Sequence, residues 1–201
     1  MKRIELNTSI PSPHFIGSWF IQSPAICDEL INFFEKHQTN QTQGQTAGGL
    51  NLESKNSTDL SIRPRDLDQA DHEPVRNYLE SLFECHKDYV EQWPFLKSIM
   101  PKVEISSFNI QRYQPGGHFL KTHAERTTVS TSHRVLAWMT YLNDIEDGGS
   151  THFEHLDLDV QPQKGKTLIW PAEWTHAHRG NVVNSGTKYV ITGWMHFPPD
   201  A

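Results

Sequence analysis

Apolar residues at Ile26, Leu30, Phe33 and Phe34 recur at helical spacing after Ser23-Pro24, which suit an N-cap and a first helical position. That spacing predicts a helix running to about His37. A second stripe combines Val75, Leu79, Leu82, Phe83, Tyr89, Val90 and Trp93, with Arg76, Glu80, Glu84, Lys87 and Glu91 on the opposite side. It predicts an amphipathic scaffold helix from near Asp71 to near Trp93-Pro94. Between the two, residues 39–56 are rich in Gln, Asn, Thr and Gly and almost free of apolar side chains. They read as a mobile surface loop, with a lid over a site as the alternative. Residues 55–60 then return towards the core.

Residues 14–20 form a first short strand. From Lys102 onward the pattern changes to β-branched and aromatic runs over residues 103–113, 118–125, 134–143, 166–170 and 189–197. Pro115-Gly116-Gly117, Gly148-Gly149 and Ser185-Gly186 punctuate them. Short strands so spaced indicate an antiparallel sandwich or barrel, preceded by two helices. There are no internal repeats.

Composition narrows the picture without changing it. A chain of 201 residues fits one domain with a sizeable core. Its apolar runs fall short of a membrane span, and the N-terminus lacks the apolar core of a signal peptide, so a cytoplasmic location without membrane association is expected. Cys27 and Cys85 both fall in predicted helices and are expected to be buried free thiols. A net charge of −6 argues against a large nucleic-acid surface.

The twelve histidines carry the candidate chemistry. On a strand, residues i and i+2 share a face, so His-x-acid aims an imidazole and a carboxylate at one point. Two histidines and one carboxylate leave positions open on a bound iron. The pattern occurs four times, as His86/Asp88, His123/Glu125, His152/Glu154 and His155/Asp157. The first pair sits on the second helix, where positions two apart diverge. The last two follow a glycine turn on an edge strand or loop, and His155 lies only 23 residues before His178. His123/Glu125 lies 55 residues before it, counted from His123, leaving room for the strands of a closed core. His176 shares the face of His178 and competes with it as the distal histidine. His178 stands ten residues before Lys188, a cation suited to an anion.

Residues 108–194 resemble the prolyl 4-hydroxylase-like branch of the iron(II)- and 2-oxoglutarate-dependent dioxygenases. The resemblance rests on Tyr113, Gly116-Gly117, His123-Ala124-Glu125, Tyr141-Leu142-Asn143, Gly148-Gly149-Ser150-Thr151, Pro162-Gln163-Lys164-Gly165, His178 and Lys188, in order and at matching spacing. It implies a mainly β fold with flanking helices, built on a double-stranded β-helix or jelly-roll core. Residues 1–201 would form a single domain, with a helical support region over 1–100 and the core over 101–198. It further implies His123, Glu125 and His178 as iron ligands, and Lys188 as the cation that pairs with the distal carboxylate of 2-oxoglutarate. Tyr113 and Tyr141 match tyrosines that hydrogen-bond this cosubstrate. One departure stands out: the usual acid is Asp, and Glu125 is longer by a methylene.

The implied activity is hydroxylation of a prolyl residue in a peptide or protein, using molecular oxygen, with 2-oxoglutarate decarboxylated to succinate and ascorbate as reductant. An oxygenase acting on a small molecule is the first alternative. Repair of alkylated nucleic acid is a second, which the net charge disfavours. A non-catalytic jelly-roll module with a structural metal is a third. Trp170, Trp174 and Trp194 are candidate walls of the site, with core packing the competing role. The 39–56 segment and residues 126–134 are expected at its entrance.

Overall fold

The computed structural model describes residues 2–4, 13–46 and 48–198. The helices are α1 (Ala25–Lys36), α2 (Glu73–Gln92) and the short α3 (Phe95–Ile99). The strands are β1 (Lys2–Arg3), β2 (Gly17–Phe20), β3 (Gln41–Gln43), β4 (Lys55–Asn56), β5 (Thr58–Ile62), β6 (Glu104–Ile105) and β7 (Phe108–Tyr113). They continue as β8 (His118–His123), β9 (Arg134–Tyr141), β10 (Thr151–Phe153), β11 (Leu158–Val160), β12 (Lys166–Pro171), β13 (His178–Gly180) and β14 (Lys188–His196).

These strands make two antiparallel sheets. The larger runs β1-β2-β12-β9-β14-β7-β5-β3, with β6 added beside β14, and the smaller runs β11-β10-β13-β8-β4. Period-two alternation on the large sheet's central strands creates two separate cores. Along β9, Leu136 and Trp138 face the helices, joining Leu30, Phe34, Leu79 and Leu82. Ala137, Met139 and Tyr141 face the small sheet, where Phe153, Leu158 and Val160 meet them. α2 is tied to the large sheet by polar contacts as well. The Trp19 indole donates to Asp88 at 2.9 Å, and the Tyr78 hydroxyl lies 2.8 Å from Thr140 Oγ1.

The helices form where the apolar spacing requires, within one or two residues of the expected limits. Pro24 occupies the cap of α1 without a side-chain capping bond, so Ser23 is not the N-cap. Both cysteines are buried and free, as expected.

Two expectations need correction. The sheets cross the division placed at residue 100, because β2, β3 and β5 belong to the large sheet and β4 to the small one. Alternation in β5 (Leu60 and Ile62 inward) lets it pair with β7. Residues 39–56 are also not a simple surface loop. They contain β3 and β4, and Lys55 is 3% exposed. Their polar side chains concealed strand pairing made entirely by backbone groups.

Candidate metal and anion site

Alternate residues of β14 point between the sheets, so Lys188, Val190, Thr192 and Trp194 line a common cavity. The neighbouring β7 adds Asn109, Gln111 and Tyr113 by the same alternation. The cavity has a volume of about 350 Å³, and the small sheet contributes His123 and His178 on its far wall.

His123 ends β8 and His178 begins β13, and the two are direct partners across that strand pair. Their ring centroids are 4.5 Å apart. Phe119 stacks on His123 at 4.0 Å, while Trp170 and Phe153 pack edge-on or tilted against His178. Glu125 lies just beyond the end of β8, so strand alternation alone does not aim it. Its backbone N–H donates to the Ala172 carbonyl at 3.2 Å, and the Arg126 N–H donates to the same oxygen at 3.0 Å. These bonds fix the segment against the end of β12.

The donor atoms converge. One ligand atom each from His123, Glu125 and His178 lies within 4.8 Å of the other two, the one such cluster among the described residues. His123 Nδ1 donates to the Lys121 carbonyl and His178 Nδ1 to the His176 carbonyl, both at 2.9 Å. A carbonyl can only accept, so each Nδ1 carries a proton and each Nε2 is left towards the centre. Both Nε2 atoms stand 3.4 Å from Glu125 Oε1, beyond a charge-assisted hydrogen bond. Two imidazole nitrogens and a carboxylate oxygen so arranged can hold a divalent cation between them, and this nitrogen and oxygen set suits iron(II). Burial pushes the Glu125 carboxyl up, but the two imidazoles beside it outweigh burial and hold the group well below the usual carboxylate range.

The other candidate histidines are elsewhere. His86 is on α2, and His152 lies beside Asp159 at 3.3 Å. His155 packs against Trp174. His176 sits in a 3₁₀ turn before β13 rather than on the strand, and its Nε2 lies 2.9 Å from the His14 carbonyl. The turn removes the shared face on which it competed with His178.

Lys188 is 4% exposed, and its Nζ donates to the Gly149 carbonyl at 2.7 Å. Gly149 has φ +66°, which presents that carbonyl at a turn a larger residue would strain. The ammonium lies 5.3 Å from the ring centres of both Tyr113 and Tyr141. Among the described residues no carboxylate pairs with it, and burial lowers its pKa to about 7. An uncompensated buried cation facing a cavity is prepared for an anion.

The two tyrosines differ. Tyr113 lines the cavity, and its hydroxyl donates to Gln111 Oε1 at 2.7 Å. The Tyr141 hydroxyl is 2.7 Å from Thr151 Oγ1 and 3.1 Å from the Val160 carbonyl, so its hydrogen bonding is taken up within the protein.

Sequence reasoning missed a buried polar group on the same wall. Lys55 Nζ donates to Asp59 Oδ2 at 2.6 Å, while Ser57 and Gln111 donate to the same carboxylate. Nothing in the local pattern signals an ion pair inside the core. Trp170 and Trp194 line the cavity, whereas Trp174 is 67% exposed. Gln45, Thr46, Thr131 and Arg134 also line it, which places both expected entrance segments at the site.

Residues 108–196 match the model of the 2OG-Fe(II) oxygenase superfamily. A probable prolyl 4-hydroxylase 9 of Arabidopsis thaliana is 27% identical over 134 residues, covering 54% of this chain and 46% of that one. The prolyl 4-hydroxylase subunit alpha-1 of Homo sapiens is 28% identical over 34% of this chain and 14% of its own. The chain thus spans half or less of the curated relatives it matches.

Among solved structures, a viral collagen prolyl hydroxylase from Paramecium bursaria Chlorella virus-1, in its 2OG complex, aligns with a TM-score of 0.66 at 20% identity. That alignment covers 92% of this chain and 97% of the other. A Pseudomonas putida prolyl-4-hydroxylase aligns at 0.68 and 17% identity, covering 92% and 94%. A Trichoplax adhaerens prolyl hydroxylase, in complex with a hypoxia inducible factor oxygen degradation domain peptide fragment, aligns at 0.69 and 14% identity, covering 91% and 84%. These neighbours bear out the mainly β, double-stranded β-helix fold. The family match and the curated relatives bear out the resemblance to prolyl hydroxylase-like 2-oxoglutarate oxygenases.

Proposed function

We propose, from the premise that residues 108–196 carry a prolyl hydroxylase-like 2OG-Fe(II) oxygenase core, that this chain is an iron(II)- and 2-oxoglutarate-dependent dioxygenase hydroxylating prolyl residues in a peptide or protein. The observation that carries the proposal is the meeting, in one cavity, of a three-donor cluster for a divalent cation and a buried ammonium that no carboxylate among the described residues pairs with.

In this reading His123, Glu125 and His178 hold the iron and Lys188 binds the distal carboxylate of 2-oxoglutarate. Tyr113 hydrogen-bonds the cosubstrate by turning its hydroxyl away from Gln111, and Tyr141 acts through the face it offers to Lys188. Bound iron(II) and 2-oxoglutarate supply oxygen activation, coupling decarboxylation of the cosubstrate to hydroxylation, with ascorbate as reductant. The protein's own contribution is to orient and shield. Trp170, Phe153 and Phe119 exclude water around the imidazoles, and the carbonyls of Lys121 and His176 hold their tautomers.

A peptide substrate is supported by the structural neighbour solved with a peptide fragment. We read residues 1–201 as one working domain, since strands of the N-terminal half complete both sheets. No helix among the described residues is long and apolar enough to cross a membrane. The cytoplasmic placement is supported by two buried free thiols.

The test is turnover. The protein is incubated with iron(II), 2-oxoglutarate, oxygen, ascorbate and proline-containing peptides, and succinate and peptide mass are followed. Succinate matched by a one-oxygen mass gain on proline supports the reading. Succinate matched to a small molecule instead would retain the oxygenase and replace the substrate. Metal binding with no succinate from any substrate would favour the non-catalytic module.

A further inference from the structure

On the proposed iron site, on which this inference rests, a glutamate does the work expected of an aspartate. A longer carboxylate has one more rotatable bond and can present either or both oxygens to a cation. If both are used, a position needed by cosubstrate or oxygen is filled. Something must therefore fix which oxygen points inward.

The structure assigns that role to Trp194: we infer that its indole N–H is a positioning group that occupies Glu125 Oε2 and leaves Oε1 alone to face the metal. Trp194 Nε1 donates to Oε2 at 2.7 Å, within the charge-assisted range. Oε1 is then the atom 3.4 Å from Nε2 of both imidazoles. The two carboxylate oxygens have separate partners, and the division follows from the fold. Trp194 is six residues along β14 from Lys188, on the same face, so the strand that places the ammonium also places the indole.

Arg134 locks this arrangement. Its guanidinium lies 3.6 Å over the Trp194 ring, and its NH1 donates to the Glu125 backbone carbonyl at 3.0 Å. The same NH1 is 3.8 Å from Oε2, adding charge on the outer side of the carboxylate. Glu125 is therefore held at its amide by Ala172, at its carbonyl by Arg134 and at one oxygen by Trp194. An aspartate on this backbone would be shorter by a methylene and could not reach both the indole and the imidazoles. Glu125 and Trp194 thus form a matched pair.

Cobalt(II) is the probe, because it binds imidazole and carboxylate donors and its visible spectrum reports coordination. Affinity and spectrum are measured for the wild type, Trp194→Phe, Glu125→Asp and the double variant, with His178→Ala as the control for specific binding. Trp194→Phe keeps an aromatic ring under Arg134 and removes the donor together with one ring of the indole. It is expected to weaken cobalt(II) by about tenfold and alter the spectrum, the usual scale for losing a ligand's outer partner. The melting temperature of the metal-free protein should fall by only a few degrees, the scale for losing one hydrogen bond to a carboxylate. Glu125→Asp should also weaken binding, although aspartate is the commoner ligand, and the double variant should be no worse than the weaker single one. Unchanged affinity and spectrum in Trp194→Phe, or additive losses in the double variant, would overturn the inference. Should Trp194→Phe fail to fold, Glu125→Asp decides alone: cobalt(II) binding equal to or tighter than wild type refutes the matched pair. Wild-type cobalt(II) binding that His178→Ala leaves intact would instead refute the metal site itself.

Discussion

His178 stands directly across a strand pair from His123, with ring centroids 4.5 Å apart and each Nε2 3.4 Å from the same oxygen of Glu125. Replacing either histidine by alanine removes one of three donors. The expected loss of divalent-metal affinity exceeds the roughly tenfold to hundredfold that outer partners cost. Calorimetric titration of the metal-free protein measures it. Affinity within about threefold of wild type would remove that histidine from the site.

Lys188→Met separates binding from stability. The ammonium is buried without a carboxylate partner among the described residues, so its removal takes away a desolvated charge and keeps most of the volume. The metal-free variant should melt no lower than wild type, while 2-oxoglutarate binds at least about tenfold more weakly, as expected for losing a charged hydrogen bond. A lower melting temperature with unchanged cosubstrate affinity would make Lys188 a structural residue.

The same lysine sets a pH dependence. Its folded pKa falls from the ordinary 10.5 to about 7 because burial disfavours the charge. Between those values the unfolded chain holds a proton that the folded, ligand-free protein has released. The penalty from burying Lys188 is therefore full below pH 7 and fades as pH rises towards 10.5. Binding a dicarboxylate restores the charge and takes up a proton above pH 7. Its affinity should fall by up to about tenfold per pH unit from pH 7 upward, until the pKa of the bound state is reached. Calorimetry in buffers of different ionisation enthalpy would detect the proton uptake, and equal observed heats in those buffers at pH 8.5 would contradict it.

Lys55 and Asp59 form a buried ion pair at 2.6 Å, with side-chain exposures of 4% and 9%. Lys55→Met leaves the Asp59 carboxylate with only the Ser57 and Gln111 donors. Breaking such a pair from one side should cost about 3 kcal/mol or more. Adding Asp59→Asn should recover part of that loss. Urea unfolding of the single and double variants checks the ordering, and a double variant less stable than Lys55→Met would contradict it.

Much of this was legible in the chain because strand and helix periods write themselves into residue order. The Ile26, Leu30, Phe33 stripe located α1, and the run from Arg134 located β9. The spacing among His123, Glu125, His178 and Lys188 pointed to groups that the fold brings to one cavity. The remainder was hidden for specific reasons. β3 and β4 are short and polar, so their pairing leaves no apolar signature. His176 and His178 look equivalent until a 3₁₀ turn separates them. Tyr141 carries the expected motif, but its hydroxyl direction depends on Thr151 and Val160, brought near by β10 and β11. The Trp194–Glu125 bond spans 69 positions and no local pattern encodes it.

The most direct test of the account is anaerobic titration of the metal-free protein with iron(II) and 2-oxoglutarate, watching for the weak visible charge-transfer band of the chelate. The account predicts a band in the wild type, its loss in His178→Ala, and its appearance in Lys188→Met only at much higher 2-oxoglutarate. No band in the wild type, with iron bound or not, would contradict the oxygenase reading.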